Sequence, residues 1–230
     1  MINLLLPPSN GAVIALANPL AGADQQIASW FHAHQTSTFG TILRALSEPG
    51  SSTWIGVVLS FLVLFFVWKR GWSSLITLVV AVPGGMLLNE LVKILVHRQR
   101  PFLEGPLVDW SGYSFASGHT IGATLLYGQI ALFLIPLLKT RHWRGLAVCM
   151  AALLVLSVGF SRIALGAHYF TDVLAAIFFG TLWLAFCLLA GKPIRRIVSR
   201  ARRSGAELPV AAQVALMPVI TADEGVKNLG

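Results

Sequence analysis

Apolar residues in this chain gather into five runs, approximately 53–68, 73–96, 115–138, 145–161 and 169–190, separated by short polar stretches. Each run is near the roughly 20 residues that carry a helix across a bilayer. None alternates with period two, and backbone groups in lipid must pair within their own segment, so the pattern predicts helices rather than barrel strands. Pro83-Gly84-Gly85 is expected to bend the second helix. Ahead of the runs, Ile27, Trp30 and Phe31, then Phe39, Ile42, Leu43 and Leu46, recur at helical spacing among polar neighbours. That pattern predicts one or two helices lying in the membrane interface, with a break at Glu48-Pro49-Gly50-Ser51-Ser52. Residues 1–22 are apolar but interrupted by Pro7, Pro8, Asn10 and Pro19, and they lack the basic start of a secretory signal. They read as a poor first span or as a segment lying on the membrane surface.

Composition agrees with this pattern. Of 230 residues, 56% are hydrophobic and 11% charged, with a mean hydropathy of +0.74, which sets the chain apart from soluble domains of its length. The expected fold is all-α, a polytopic transmembrane bundle of five or six spans. Its organisation reads as an N-terminal apolar and interfacial segment over 1–52, a transmembrane core over 53–191 and a basic tail over 192–230, weakly patterned after Ser204. The net charge of +8 does not indicate nucleic acid, because the basic residues sit in clusters between apolar runs. Lys69 and Arg70 follow the first run, Lys139, Arg141 and Arg144 the third, and Lys192, Arg195, Arg196, Arg200, Arg202 and Arg203 the fifth. Placing these clusters in the cytoplasm puts the loops after the second and fourth runs on the opposite face. Cys149 and Cys187 lie inside apolar runs without disulfide or metal spacing.

The chemistry-bearing residues gather in those opposite-face loops. Ser161-Arg162 and His168-Tyr169-Phe170-Thr171-Asp172 lie between the last two runs. If 168–172 opens a helix, His168 and Asp172 share a face, and the carboxylate can accept a hydrogen bond from the ring, fixing its tautomer and favouring a charged intermediate on it. Lys93 and Arg100 stand seven apart. A helix continuing toward Pro101 would set both cations toward one site. Ser117-Gly118-His119 opens the third run, where free helix amides and a glycine suit a phosphate. Arg162 adds a planar cation.

Plainer roles exist for the same residues. Ser117 is also a good N-cap, Gly118 and Gly122 suit helix packing, and Glu90 reads as a partner for Lys93. Lys93, Arg98 and Arg100 could serve as interfacial cations. His32, His34, His97 and His142 read as interfacial or boundary residues. His119, His168 and Asp172 could in principle bind a metal, but the nearby Lys and Arg side chains repel a dication and no acidic cluster compensates them. The expectation is a site with neither metal nor cofactor.

Taken together, Lys93-Ile94-Leu95-Val96-His97-Arg98-Gln99-Arg100-Pro101, Ala116-Ser117-Gly118-His119 and Ser161-Arg162 with His168 and Asp172 resemble the three signature motifs of the type 2 phosphatidic acid phosphatase superfamily. One departure stands out: alanine at 116 replaces the usual proline. The resemblance covers approximately residues 50–190. It implies that His168 attacks phosphorus to give a phosphohistidine, that Asp172 orients and charges its ring, and that His119 protonates the leaving oxygen. It also implies that Lys93, Arg100, Ser117, Gly118 and Arg162 hold the phosphoryl group. Family members in membranes act on undecaprenyl diphosphate, phosphatidic acid, phosphatidylglycerophosphate and related lipids.

The resulting expectation is a metal-independent hydrolase of lipid phosphates, embedded in a bacterial inner membrane with its site facing outward. Undecaprenyl diphosphate is the leading substrate, since Arg98 and Arg100 flanking one site would favour a diphosphate. A broad phospholipid phosphatase or a lipid phosphotransferase is the near alternative. A vanadate haloperoxidase is disfavoured by the apolar runs. A non-enzymatic lipid binder or transporter is disfavoured by the His168–Asp172 pair, which binding alone does not need.

Overall fold

A computed structural model of the protein describes residues 20–102 and 112–204, with side chains through 191. Among the described residues there are helices and no strand. Two short helices come first, α1 (Ala21–Ala33) and α2 (Ser37–Ser47), followed by a 3-10 turn at Glu48–Gly50. The long helices are α3 (Ser52–Trp68), α4 (Trp72–Val96), α5 (Gly118–Leu134), α6 (Arg141–Ala164) and α7 (Phe170–Ser204). Among the described residues, four stretches are long and apolar enough to cross a bilayer: Ser37–Trp68, Trp72–Val96, Arg141–Ala164 and Phe170–Gly191. The expectations for residues 1–19, and for the tail after Ser204, lie outside the described residues.

The helix starts follow local chemistry. The hydroxyls of Thr36, Ser51, Ser117 and Thr140 accept hydrogen bonds from the amides of Phe39, Trp54, Thr120 and Trp143, capping α2, α3, α5 and α6. α4 runs through Pro83 as one helix. The neighbouring Gly85 explains the small residues there: a Cβ would fall 2.5 Å from Leu125 Cδ1 and 2.8 Å from Trp183 Cδ1, so its absence lets α4, α5 and α7 approach closely.

α5 is the axis of the bundle, packing against α3, α4, α6 and α7. Its 17 residues are fewer than the 115–138 run suggested. The helix stops at Leu134, ahead of Pro136, whose ring disfavours helix at the residue before it. Nine of its residues are buried, including Ile121, Leu125 and Leu126, whereas α3 buries only Ile55. The outer helices accordingly turn large apolar side chains outward. Phe61, Leu87, Phe178 and Leu182 are exposed, and Leu95 is 81% exposed. Apolar surface of that extent needs a lipid environment.

α6 extends beyond its apolar run at both ends. Ser161 and Arg162 therefore stand in its last turn rather than in a loop, because the helix closes only at Gly166. That residue has a φ of +70°, and the amides of Ala167 and His168 return to the Arg162 carbonyl at 3.1 and 3.2 Å. α1 and α2 do not simply float at the interface. Leu43 of α2 packs on Ala164 and Leu165 at the end of α6, with Phe31 and Phe39 alongside.

Candidate active site

The C-terminal ends of α4 and α6 and the N-terminal ends of α5 and α7 meet at one end of the bundle, and the polar residues singled out in the sequence meet there with them. His168 precedes α7 and is 2% exposed. Its Nδ1 lies 2.7 Å from the Ser114 carbonyl, which can only accept, so Nδ1 carries the proton and Nε2 keeps its lone pair. Nε2 faces Arg100 Nη1 at 3.4 Å. Burial, reinforced by Arg100 and Arg162 and opposed by Asp172, lowers the pKa of this imidazole from 6.5 to about 4. His168 is thus held as a neutral, oriented imidazole whose Nε2 carries no proton.

Asp172 does not make the direct ring hydrogen bond that helical spacing suggested. α7 begins at Phe170, so His168 and Tyr169 precede it, and the carboxylate stands 3.8 Å from Nδ1. Instead it closes the helix start: Oδ2 accepts from the Tyr169 amide at 2.9 Å and from the Ser114 hydroxyl, and Oδ1 accepts from Arg98 Nη1 at 2.5 Å. Asp172 therefore bears on His168 through space and through Ser114, which bonds both.

The cations arrive from three elements. α4 ends at Val96, not near Pro101, because His97 turns left-handed (φ 51°) while its amide still bonds the Lys93 carbonyl at 3.0 Å. The turn separates Lys93 from Arg100, correcting the expectation of one helical face, yet both reach the site. Lys93 pairs with Glu90 at 2.7 Å, and its Nζ lies 3.2 Å from where a Cβ on Gly118 would stand. Arg100 is anchored by its Nε on the Gly112 carbonyl at 3.1 Å and by its Nη1 on the Ala167 carbonyl at 2.9 Å. Burial lowers its pKa, with Asp172 and Glu90 opposing. Arg162 is buried and donates to Ser47 Oγ at 3.0 Å.

His119, the second residue of α5, lies within electrostatic reach of Arg162, His168, Lys93 and Arg100, so five ionisable groups gather at this end of the bundle. Ser117 is fully buried as the α5 N-cap, with its hydroxyl taken by Thr120 at 2.9 Å. The capping reading therefore describes it, and Gly118 supplies the close approach to Lys93.

Arg98 departs most from expectation. It bridges Asp172 and Asp24, donating to the latter at 2.8 Å. Asp24, in α1, is 1% exposed. Sequence reasoning passed over Asp24, Ser47 and Ser114. A lone acid in an otherwise uncharged apolar-periodic helix is the signal that was available for Asp24.

A neutral histidine facing Arg100, with Arg162, Lys93 and a second histidine at the same end of the bundle, is equipped to transfer a phosphoryl group. The solved structure of a transmembrane PAP2-type phosphatidylglycerolphosphate phosphatase from Bacillus subtilis superposes with a TM-score of 0.69 at 27% identity, covering 80% of this chain and 91% of that one. Phosphatidylglycerophosphatase B of Bacillus subtilis is 30% identical over 72% of this chain and 81% of its own length. An undecaprenyl-diphosphatase of Sulfolobus acidocaldarius is 29% identical over 66% and 70%. Residues 73–196, which contain the four helix ends around His168, match the PAP2 superfamily model, and the chain belongs to that superfamily.

Proposed function

We propose that this chain is an integral membrane lipid phosphatase that works through a covalent phosphohistidine. His168 Nε2 forms the bond to phosphorus as the bond to the lipid oxygen breaks, and His119 gives that oxygen its proton. A water deprotonated by His119 then attacks phosphorus, releasing phosphate and restoring His168. Lys93, Arg100 and Arg162 hold the phosphoryl oxygens as charge moves, with the Gly118 amide at the α5 N-terminus beside them. Asp172 stabilises the imidazolium of the intermediate. The cation set disfavours a divalent metal, so the reaction proceeds with chelator present.

The observation that carries this reading is the unprotonated Nε2 of His168 facing Arg100, with its tautomer set by Ser114. The substrate is a lipid whose phosphate reaches the bundle end while its tail stays in the bilayer. Phosphatidylglycerophosphate comes first, because Arg98, which argued for a diphosphate, is held by Asp24 and Asp172. Undecaprenyl diphosphate is the second reading, favoured by the named relative that hydrolyses it. The basic clusters at the opposite helix ends support a site on the non-cytoplasmic face, in this reading that of a bacterial inner membrane crossed by five or six spans.

The test is phosphate release by the purified protein in detergent with excess chelator, comparing phosphatidylglycerophosphate, phosphatidic acid and undecaprenyl diphosphate. Trapping under alkaline denaturation should yield a phosphoenzyme in the native protein and none in His168→Ala. Normal turnover by His168→Ala would refute the mechanism.

A further inference from the structure

We propose that Asp24 and Arg98 are positioning residues for this reaction: α1 supplies a carboxylate that holds the Arg98 guanidinium and the first turn of α7, and through them Asp172. The proposal rests on the reading of His168 as the attacking residue. Asp24 lies outside residues 73–196, the part of the chain that matches the family model.

Arg98 joins the two carboxylates. Its Nη2 donates to Asp24 Oδ2 at 2.8 Å, while its Nη1 donates to Asp172 Oδ1 at 2.5 Å and to Thr171 Oγ1 at 2.8 Å. Asp24 also reaches α7 directly, accepting from the Thr171 amide at 3.0 Å and from the Thr171 hydroxyl at 2.5 Å. A carboxylate there receives a free helix amide and faces the positive end of the helix dipole. The Arg98 guanidinium lies over the Tyr169 ring at 4.2 Å, and the Tyr169 hydroxyl accepts from Gln25 Nε2 at 3.1 Å. α1, the segment after α4 and the start of α7 are thus cross-braced at the residue adjoining His168.

This arrangement fixes what Arg98 does. A guanidinium with both terminal nitrogens on carboxylates is committed to them, and it acts on His168 by holding Asp172. Two almost fully buried carboxylates would be expensive without such a cation. An ion triad of this kind specifies geometry more than it adds stability. Loss of Asp24 lets Arg98 swing, and Asp172 loses the partner that keeps its second oxygen on Ser114 and Tyr169.

The full-length protein would be assayed in detergent on phosphatidylglycerophosphate and undecaprenyl diphosphate as wild type, Asp24→Asn, Arg98→Gln and the double variant, each checked for a monodisperse size-exclusion peak. The expected result is a fall in kcat of about 10–100-fold on both lipids, with KM within about twofold and the double variant no worse than the weaker single. Thr171→Ala removes one hydroxyl and leaves all three ions in place. It should lose kcat by roughly threefold or more, and it decides the matter if the charge variants fail to fold. A KM increase in Arg98→Gln confined to the diphosphate would overturn the proposal by making Arg98 a substrate ligand, as would unchanged kcat in Asp24→Asn or Thr171→Ala. Wild type inactive on both lipids would instead overturn the functional reading, and the proposal with it.

Discussion

Ser114 joins His168 to Asp172, holding one through its carbonyl and the other through its hydroxyl. The Ser114 carbonyl takes the Nδ1 proton of His168 at 2.7 Å, and the Ser114 hydroxyl bonds the Asp172 carboxylate, which stands 3.8 Å from the ring. The tautomer of His168 is therefore set by a backbone group, and Asp172 contributes charge.

This division predicts how Asp172→Asn behaves. In sites where the carboxylate itself sets the tautomer, the amide variant loses about 10⁴ in kcat. Here Nδ1 keeps its proton and still donates it to the Ser114 carbonyl, so the loss should be that of one electrostatic stabiliser, about 10²–10³ in kcat. Phosphate release and phosphoenzyme yield measured on the same preparation check it. A loss near 10⁴ would mean that the carboxylate orients the ring after all.

Gly118→Ala tests the approach of Lys93. The added methyl would lie 3.2 Å from Nζ, the mobile end of a flexible side chain, with Asn89 Nδ2 at 3.9 Å. Lys93 can retreat by a few tenths of an ångström, so the protein should fold normally. Its grip on the phosphoryl group should weaken, raising KM by roughly 3–10-fold with a smaller change in kcat. Steady-state kinetics in mixed micelles would show it.

Gly50→Ala meets rigid neighbours instead. Its Cβ would fall 2.5 Å from Val158 Cγ1 and 2.8 Å from the His119 carbonyl oxygen, and that backbone cannot yield without moving His119. The expected outcome is a cost of about 1–3 kcal/mol in stability together with reduced turnover. Gly56→Ala, with nothing within 4 Å of the added methyl, is the control and should be neutral to slightly stabilising. Thermal unfolding of the two variants in one detergent compares them directly.

These contrasts show which parts of the site were legible in the sequence. The long helices follow from apolar runs that lipid leaves no other way to satisfy. Lys93, Arg100, His119, Arg162, His168 and Asp172 were found because charged residues beside such runs are scarce, and they do converge. Their connections were hidden by backbone events that composition does not encode. The left-handed turn at His97 redirects Arg98 toward α7, and the extension of α6 through Arg162 delivers that side chain to Ser47. Asp24 was invisible for a different reason. Helical spacing identifies the apolar face of α1, but not what its one buried acid docks against, which depends on pairing across 147 residues to Thr171.

Protonation of His168 gives the last test. Burial lowers its pKa from 6.5 to about 4, so the folded state favours the neutral ring. Between those two values the unfolded chain binds the proton more readily than the folded one. The contribution of neutral His168 to stability is therefore complete above about pH 6.5 and is lost as pH falls toward 4. Spectra of the protein with ¹⁵N-labelled histidine in nanodiscs, assigned by comparison with His168→Gln, should show a neutral Nδ1–H imidazole at about pH 6, where a solvent-exposed histidine is mostly charged. A titration midpoint near 6.5 would mean that water reaches the ring freely, and that His168 must compete with its own proton before it can attack phosphorus.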